Sequence, residues 1–208
     1  MATIFYLKDT TDYVTNAPTS EQSTALPSGS DVSLAWAVRD MDPTAAASPV
    51  TLTMPFNAEV VAQCGLFRTF TSPPLAAQTI AAQTWTISAD AKVNNTRLDI
   101  HWVMNLYVWR PSGPSKVGSI YDSSTQLGTA WTVVPGETGT FAGSSLAVLA
   151  NDQLVVELWA SGMPNKTTSY NAVVDYNDAN SFLSWTDDVI LIGGAPTSVL
   201  RVQSIVID

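Results

Sequence analysis

His101 is the only histidine in the chain and Cys64 the only cysteine, so the means for proton transfer and soft-metal binding are few. A Ser-His-Asp triad would have to use His101, and no Gly-x-Ser-x-Gly elbow is available to display a serine. Strand alternation puts His101 on the polar side of its segment beside Asp99 and Asn105, where a surface or interface histidine is expected. One histidine and one cysteine cannot supply the three or four ligands of a zinc site. Cys64 lies in Val60-Val61-Ala62-Gln63-Cys64-Gly65-Leu66, which reads as a buried, inert thiol, and no intrachain disulfide is possible.

Oxygen ligands are better supplied. Asp175, Asn177 and Asp178 lie close together, as do Asp187 with Asp188 and Asp40 with Asp42, and acidic loops bind Ca2+ when their oxygens converge. None has the spaced ligands of an EF-hand loop, so turn formation and solubility are their expected roles. Ca2+ at Asp175, Asn177 and Asp178 is the one cofactor left open. Glycoside hydrolysis needs two opposed carboxylates. Glu157 is one candidate and Glu59 or Glu137 the other, yet nothing in the sequence brings them together, and Glu157 reads as a solvated strand carboxylate. No residue is assigned a catalytic role, and the chain is not expected to be an enzyme.

The seven tryptophans divide by register. Trp36, Trp85 and Trp102 fall on apolar faces and are expected in the core. Trp109 and Trp159 fall in the opposite register, with Tyr107, and are expected to project outward. Outward rings serve as interface anchors or as platforms on which sugars stack; interface anchoring is the preferred reading.

The elements that carry these residues are strands. Apolar and polar positions alternate in Asp31–Arg39 (Val32, Leu34, Trp36, Val38), Val50–Met54 (Val50, Leu52, Met54) and Thr84–Asp90 (Trp85, Ile87, Ala89), the pattern of a half-buried strand. The longest candidate, Leu98–Arg110, places Leu98, Ile100, Trp102, Met104, Leu106 and Val108 on one face. Further strands are expected over Thr3–Lys8, Leu66–Thr71, Lys116–Tyr121, Ala130–Val134, Gln153–Ala160, Asn171–Tyr176, Ser181–Trp185 and Val199–Ile207. Turns fall at Pro27-Ser28-Gly29-Ser30, Pro73-Pro74, Pro111-Ser112-Gly113-Pro114, Pro135-Gly136 and Gly193-Gly194. No stretch keeps helical spacing for long. About ten strands with irregular connections predict an all-β, antiparallel β-sandwich, a jelly roll being the expected form, in one domain over residues 1–208. Asn16–Ser30, rich in Ser, Thr and Pro, is expected to be an extended arm or long loop.

Charged side chains make up 13% of the chain, against about 25% in an ordinary soluble domain, while hydrophobic residues reach 46%. No apolar run approaches the roughly 20 residues of a membrane span, and Met1–Asp9 does not read as an export signal. A net charge of −9 without a Lys/Arg cluster speaks against direct nucleic-acid binding. An exterior so poor in charge is expected to be apolar and to be kept dry by other proteins, as in a homo-oligomer or larger assembly. The terminal strand Val199–Ile207, apolar on both faces through Val199, Ile205 and Ile207, joins Tyr107, Trp109 and Trp159 as an expected contact surface, and the N-terminal strand is a further one.

Three phrases resemble tailed-bacteriophage virion proteins. They are Ala2-Thr3-Ile4-Phe5-Tyr6-Leu7; Phe70-Thr71-Ser72-Pro73-Pro74-Leu75 followed by Thr84-Trp85; and Leu106-Tyr107-Val108-Trp109-Arg110-Pro111-Ser112 followed by Gly118-Ser119-Ile120. The resemblance implies a virion component, assembled in the host cytoplasm, such as a decoration or cement protein, a head-fibre base or a neck or tail accessory subunit. Its partners would be phage capsid, neck or tail proteins, and it carries no catalytic signature. The alternative is a carbohydrate-binding module or host-glycan adhesin built on the same outward aromatic residues.

Overall fold

The computed structural model describes residues 3–14, 18, 30–44, 48–57, 62–95, 99–110, 112–122, 129–130, 132–134, 140–143, 145–163 and 169–186. Among them are fifteen strands and no α-helix. In chain order these are β1 (Thr3–Leu7), β2 (Ser30–Asp31), β3 (Val38–Asp42), β4 (Val50–Phe56), β5 (Gln63–Thr71), β6 (Gln78–Ile80), β7 (Gln83–Val93), β8 (Asp99–Trp109), β9 (Ser115–Asp122), β10 (Thr132–Val134), β11 (Thr140–Gly143), β12 (Leu146–Val148), β13 (Gln153–Met163), β14 (Tyr170–Tyr176) and β15 (Phe182–Trp185).

Their pairing is nested. β8 pairs with β9, β7 with β10 and β11, β5 with β13, and β4 with β14, all antiparallel. A chain paired in this way is one long hairpin of strands, and here it is rolled up: β14 also pairs with β7, and β13 also pairs with β8. The result is two ladders each four strands wide, β4-β14-β7 with β10 and β11 sharing the last edge, and β5-β13-β8-β9, which is the jelly-roll arrangement. β7 is long enough to serve two partners on each edge, β14 and β15 on one and β10 and β11 on the other. From β15 the path continues through β1 and β3 to β5, joining one ladder to the other. β6 and β12 form a separate two-stranded ribbon.

Period-two alternation decides what lies between the ladders. β8 contributes Ile100, Trp102, Met104, Leu106 and Val108; β13 contributes Leu154, Val156, Leu158 and Ala160; β7 contributes Trp85, Ile87, Ala89, Ala91 and Val93. All are buried, and each large aliphatic or aromatic side chain stabilises the fold by about 1.5–3 kcal/mol relative to exposure. Aromatic pairs stitch the elements together. Phe5 meets Trp185 edge-on at 5.0 Å, Trp85 lies 5.1 Å from Trp185, and Phe67 stacks on Trp102 at 5.2 Å.

The single strand expected over Asp31–Arg39 is instead two short strands, β2 and β3, running parallel to β5 rather than antiparallel. Between them the chain stays extended along β5, with Val32 N donating to Cys64 O at 2.9 Å and Leu34 N to Leu66 O at 3.0 Å. The approach is so close that a Cβ on Gly65 would lie 2.8 Å from the backbone of Val32 and Ser33, so only glycine fits there. β6, β11 and β12, of three or four residues each, were not expected from periodicity; so few residues carry too little of it to register. Asn16–Ser30, apart from Pro18 and Ser30, and Val199–Ile207 lie outside the described residues.

Candidate functional site

The outer face of the β5-β13-β8-β9 ladder carries the residues expected to make contacts. Trp159 and Tyr107 have the predicted register, opposite the core, but they do not project into solvent: Trp159 is 3% exposed and Tyr107 4%. For Trp159 the reason is a second apolar cluster on this face, in which it packs with Leu66 and Val103 and is joined by Trp36. Trp36 therefore packs outside the ladder, not in the main core with Trp85 and Trp102, although Val32 and Leu34 of the same alternating set pack against that core. Trp109 is half-buried. The N-terminal strand is no free edge either, since β1 is held between β15 and β3. Val199, Ile205 and Ile207 lie outside the described residues.

The exterior also differs from the expected apolar one. Among the described residues only Ile4 and Leu149, at 37% and 55%, are exposed large hydrophobic residues. Among the described residues the apolar side chains have gone into two buried faces, and neutral Ser, Thr, Ala, Asn and Gln side chains take much of their remaining surface.

Glu157 is the largest departure at this face. Expected to be solvated, its side chain is fully buried. The ladders place it in one row with Thr69 of β5 and Asn105 of β8, both also buried. Trp159 Nε1 donates to Glu157 Oε2 at 3.1 Å. A buried carboxylate persists only with such hydrogen-bond partners. The hydroxyls of Thr69 and Thr71 on the same face have none. Alternation correctly assigned Glu157 to the face opposite the core but could not reveal that this face is covered. A signal was available: Leu154-Val155-Val156 is apolar without interruption, and Val103 interrupts the polar set of β8, as in strands buried on both sides. Glu59 and Glu137, the other carboxylates considered with it, lie outside the described residues.

On the same face, the register puts Ser161 between Cys64 and His101. Cys64 is buried as expected, and burial, followed by the nearby Asp31 carboxylate, pushes its thiol above the ordinary range. His101 is half-buried.

The Ca2+ candidates sit at the end of β14, where Asp175 lies, and in the turn after it, which holds Asn177 and Asp178. Asp175 accepts a hydrogen bond from Thr51 Oγ1 across the ladder, and Asn177 Oδ1 accepts from Asp9 N at 3.2 Å. Asn177 Nδ2 donates to Ser48 O at 2.7 Å, and Asp178 Oδ1 accepts from Asn180 N at 3.0 Å. Asn177 adopts the left-handed backbone conformation, φ 67°, which asparagine tolerates better than most residues. These side chains each bond separate groups that build the turn, and among the described residues no three His, Cys, Asp or Glu side chains converge as a metal site. Asp187 and Asp188 lie outside the described residues. Asp40 and Asp42 part company: Asp42 meets Lys8 Nζ at 3.3 Å, whereas Asp40 is fully buried and bonded to the segment after β1.

Beside this turn, Asp9 Oδ1 accepts from the Tyr176 hydroxyl at 2.5 Å and from Arg39 Nε at 2.8 Å. Burial alone would raise Asp9, but the bonds from Tyr176 and Arg39 and the charges of Arg39 and Arg68 outweigh it and hold the carboxyl below its ordinary value. Burial, reinforced by the bond to Asp9, pushes Tyr176 up to about 12 from 10.0. Because Tyr176 is raised on folding, its contribution is complete below pH 10.0 and is lost as pH climbs toward about 12. Denaturant midpoints are accordingly expected to fall across that window, and more steeply than in Tyr176→Phe; parallel curves for the two proteins would refute the assignment.

No known protein-family model matches the chain, and no curated protein matches it. One solved structure that it matches is that of infectious bursal disease virus, Gx strain. The match has 8% identity and a TM-score of 0.25, covering 67% of this chain and 36% of that one. The chain thus spans about a third of the length of that neighbour, and a likeness at this score carries no argument about fold or function.

What the arrangement offers chemically is a sheet buried on both faces along β5, β13 and β8 and a charge-poor exterior. Trp109 is the one member of the outward aromatic set that keeps appreciable contact with solvent.

Proposed function

We propose that this chain is a non-enzymatic structural protein of a virus particle, a jelly-roll subunit that docks on a tailed-phage capsid or neck as a decoration or cement protein and associates with copies of itself. The observation that carries the reading is the nested, rolled pairing of β4, β5, β7 and β8 with β14, β13, β10/β11 and β9. It is combined with a chain in which only 13% of residues are charged. Jelly rolls recur in viral shells, which is support by fold analogy. The physical support is separate. Ionised groups are costly to desolvate at a contact, and interface cores are depleted of them, so a neutral exterior docks at small penalty. Leu149 and Trp109 are the proposed anchors on that exterior, in place of the buried Tyr107 and Trp159.

The glycan-binding alternative relied on three open rings, and the burial of Tyr107 and Trp159 leaves it Trp109 alone. Mass spectrometry of purified particles from the virus that encodes this chain is expected to find it in fixed ratio to the capsid subunit. Particles assembled at full infectivity without it would refute the structural role.

A further inference from the structure

The chain does not end its association with the sandwich when β1 stops at Leu7. It continues beside β3, with Lys8 N donating to Asp40 O and Asp40 N to Thr10 O, at 2.8 and 3.0 Å. It then turns over β3 toward the outer face. Three donors of this strap converge on one carboxylate: Thr10 Oγ1 and Asp12 N on Asp40 Oδ2, at 2.6 and 2.5 Å, and Tyr13 N on Asp40 Oδ1, at 2.9 Å. At its far end Tyr13 O accepts from Gln153 Nε2, at 2.8 Å, so the strap reaches from β3 to the first residue of β13. Asp40, Thr71 and Gln153 beneath it are 0%, 0% and 1% exposed.

We infer that residues 10–13 form a latch that opens and closes as a unit over the Thr71 and Gln153 end of the outer face, hinged at Asp9, which Tyr176, Arg39 and Asn177 hold in place. Its anchoring is polar: Thr10, Thr11 and Asp12 are exposed, and no side chain from Lys8 to Tyr13 is buried in the core. Segments held without buried apolar contacts lie at the low end of local stability. Because the three donors share one acceptor residue, losing one weakens the placement of the others, and the latch releases together instead of fraying stepwise. Closing is reciprocal, since those donors are the bonds shown satisfying the buried Asp40 carboxylate. The inference does not depend on the virion reading.

Thiol labelling of the full chain tests it, with Thr71→Cys as the reporter and native Cys64, on the same face at its other end, as the internal control. In the Thr71→Cys background, Asp40→Asn is expected to speed labelling at the introduced thiol by tenfold or more and to leave Cys64 unchanged. Thr10→Val, which removes one donor of the three, is expected to give a smaller increase at the same thiol. Amide exchange at residues 10–13 should rise in parallel while that of β7 stays slow. Equal acceleration at both thiols would mean global loosening and would overturn the latch, as would no acceleration at either.

Discussion

Arg110→Ala is expected to lower the unfolding free energy by about 3 kcal/mol, the lower end of the range for breaking a buried ion pair. Arg110 Nη2 lies 2.6 Å from Asp152 Oδ2, and the same oxygen accepts from Leu149 N at 2.8 Å. The Asp152 side chain is 3% exposed and that of Arg110 22%, so removing the guanidinium leaves a carboxylate in a site that water reaches poorly. The damage should spread locally. Asp152 O accepts from Leu75 N at 2.7 Å, and Asn151, at φ 72°, passes its own N–H to Leu75 O, so this one turn fastens the segment after β5 to the start of β13. Adding Asp152→Asn to Arg110→Ala is expected to recover part of the loss, because the amide is cheaper to bury unpaired. Urea denaturation measures both; a loss below about 1 kcal/mol, the range of a solvent-screened pair, would show that the pair contributes as an exposed one does.

Trp102→Ala and Trp36→Ala separate the two apolar clusters. Trp102 is fully buried between the ladders and stacks on Phe67, so its truncation is expected to cost about 3–5 kcal/mol. Trp36 is half-buried against Leu66, Val103 and Trp159 and should cost about 1–2 kcal/mol. Thermal melts of the two variants, compared at equal concentration, read the difference. Equal losses would contradict the placement of Trp36 outside the main core.

The contrast between these two tryptophans marks what periodicity can and cannot convey. Alternation identified the strands that became β4, β7, β8, β13 and β14 within a few residues, and with them most of the inner core, because a face that must be apolar leaves its imprint at every second position. It placed Trp102 correctly and assigned Tyr107, Trp159 and Glu157 to the right face. It failed on what covers that face, since burial of a second side depends on segments distant in the sequence, such as the one carrying Trp36. The parallel run of β2 and β3 along β5 was hidden for the same reason; only Gly65, where a side chain would strike the neighbouring backbone, hinted at it. Likewise the acidic pairs looked equivalent as sequence, whereas Asp40 became the buried acceptor of the latch and Asp42 the partner of Lys8.

The nested pairing also sets a timetable for biosynthesis. Leu52 finds its ladder partner only in Val174, and Phe70, flanked early by Arg39, gains Val156 much later, so a ribosome working at about 5–20 residues per second leaves these pairings waiting on the order of ten seconds. The hairpin of β8 and β9 is the first pairing of the roll that can close locally, and closure then proceeds outward from it, each ring sealed by a more distant piece of chain. Until the last ring shuts, β4 and the edge of β5 that will meet β13 stand open, and it is in this interval, more than in the folded protein, that the chain is most exposed to sticking to its neighbours.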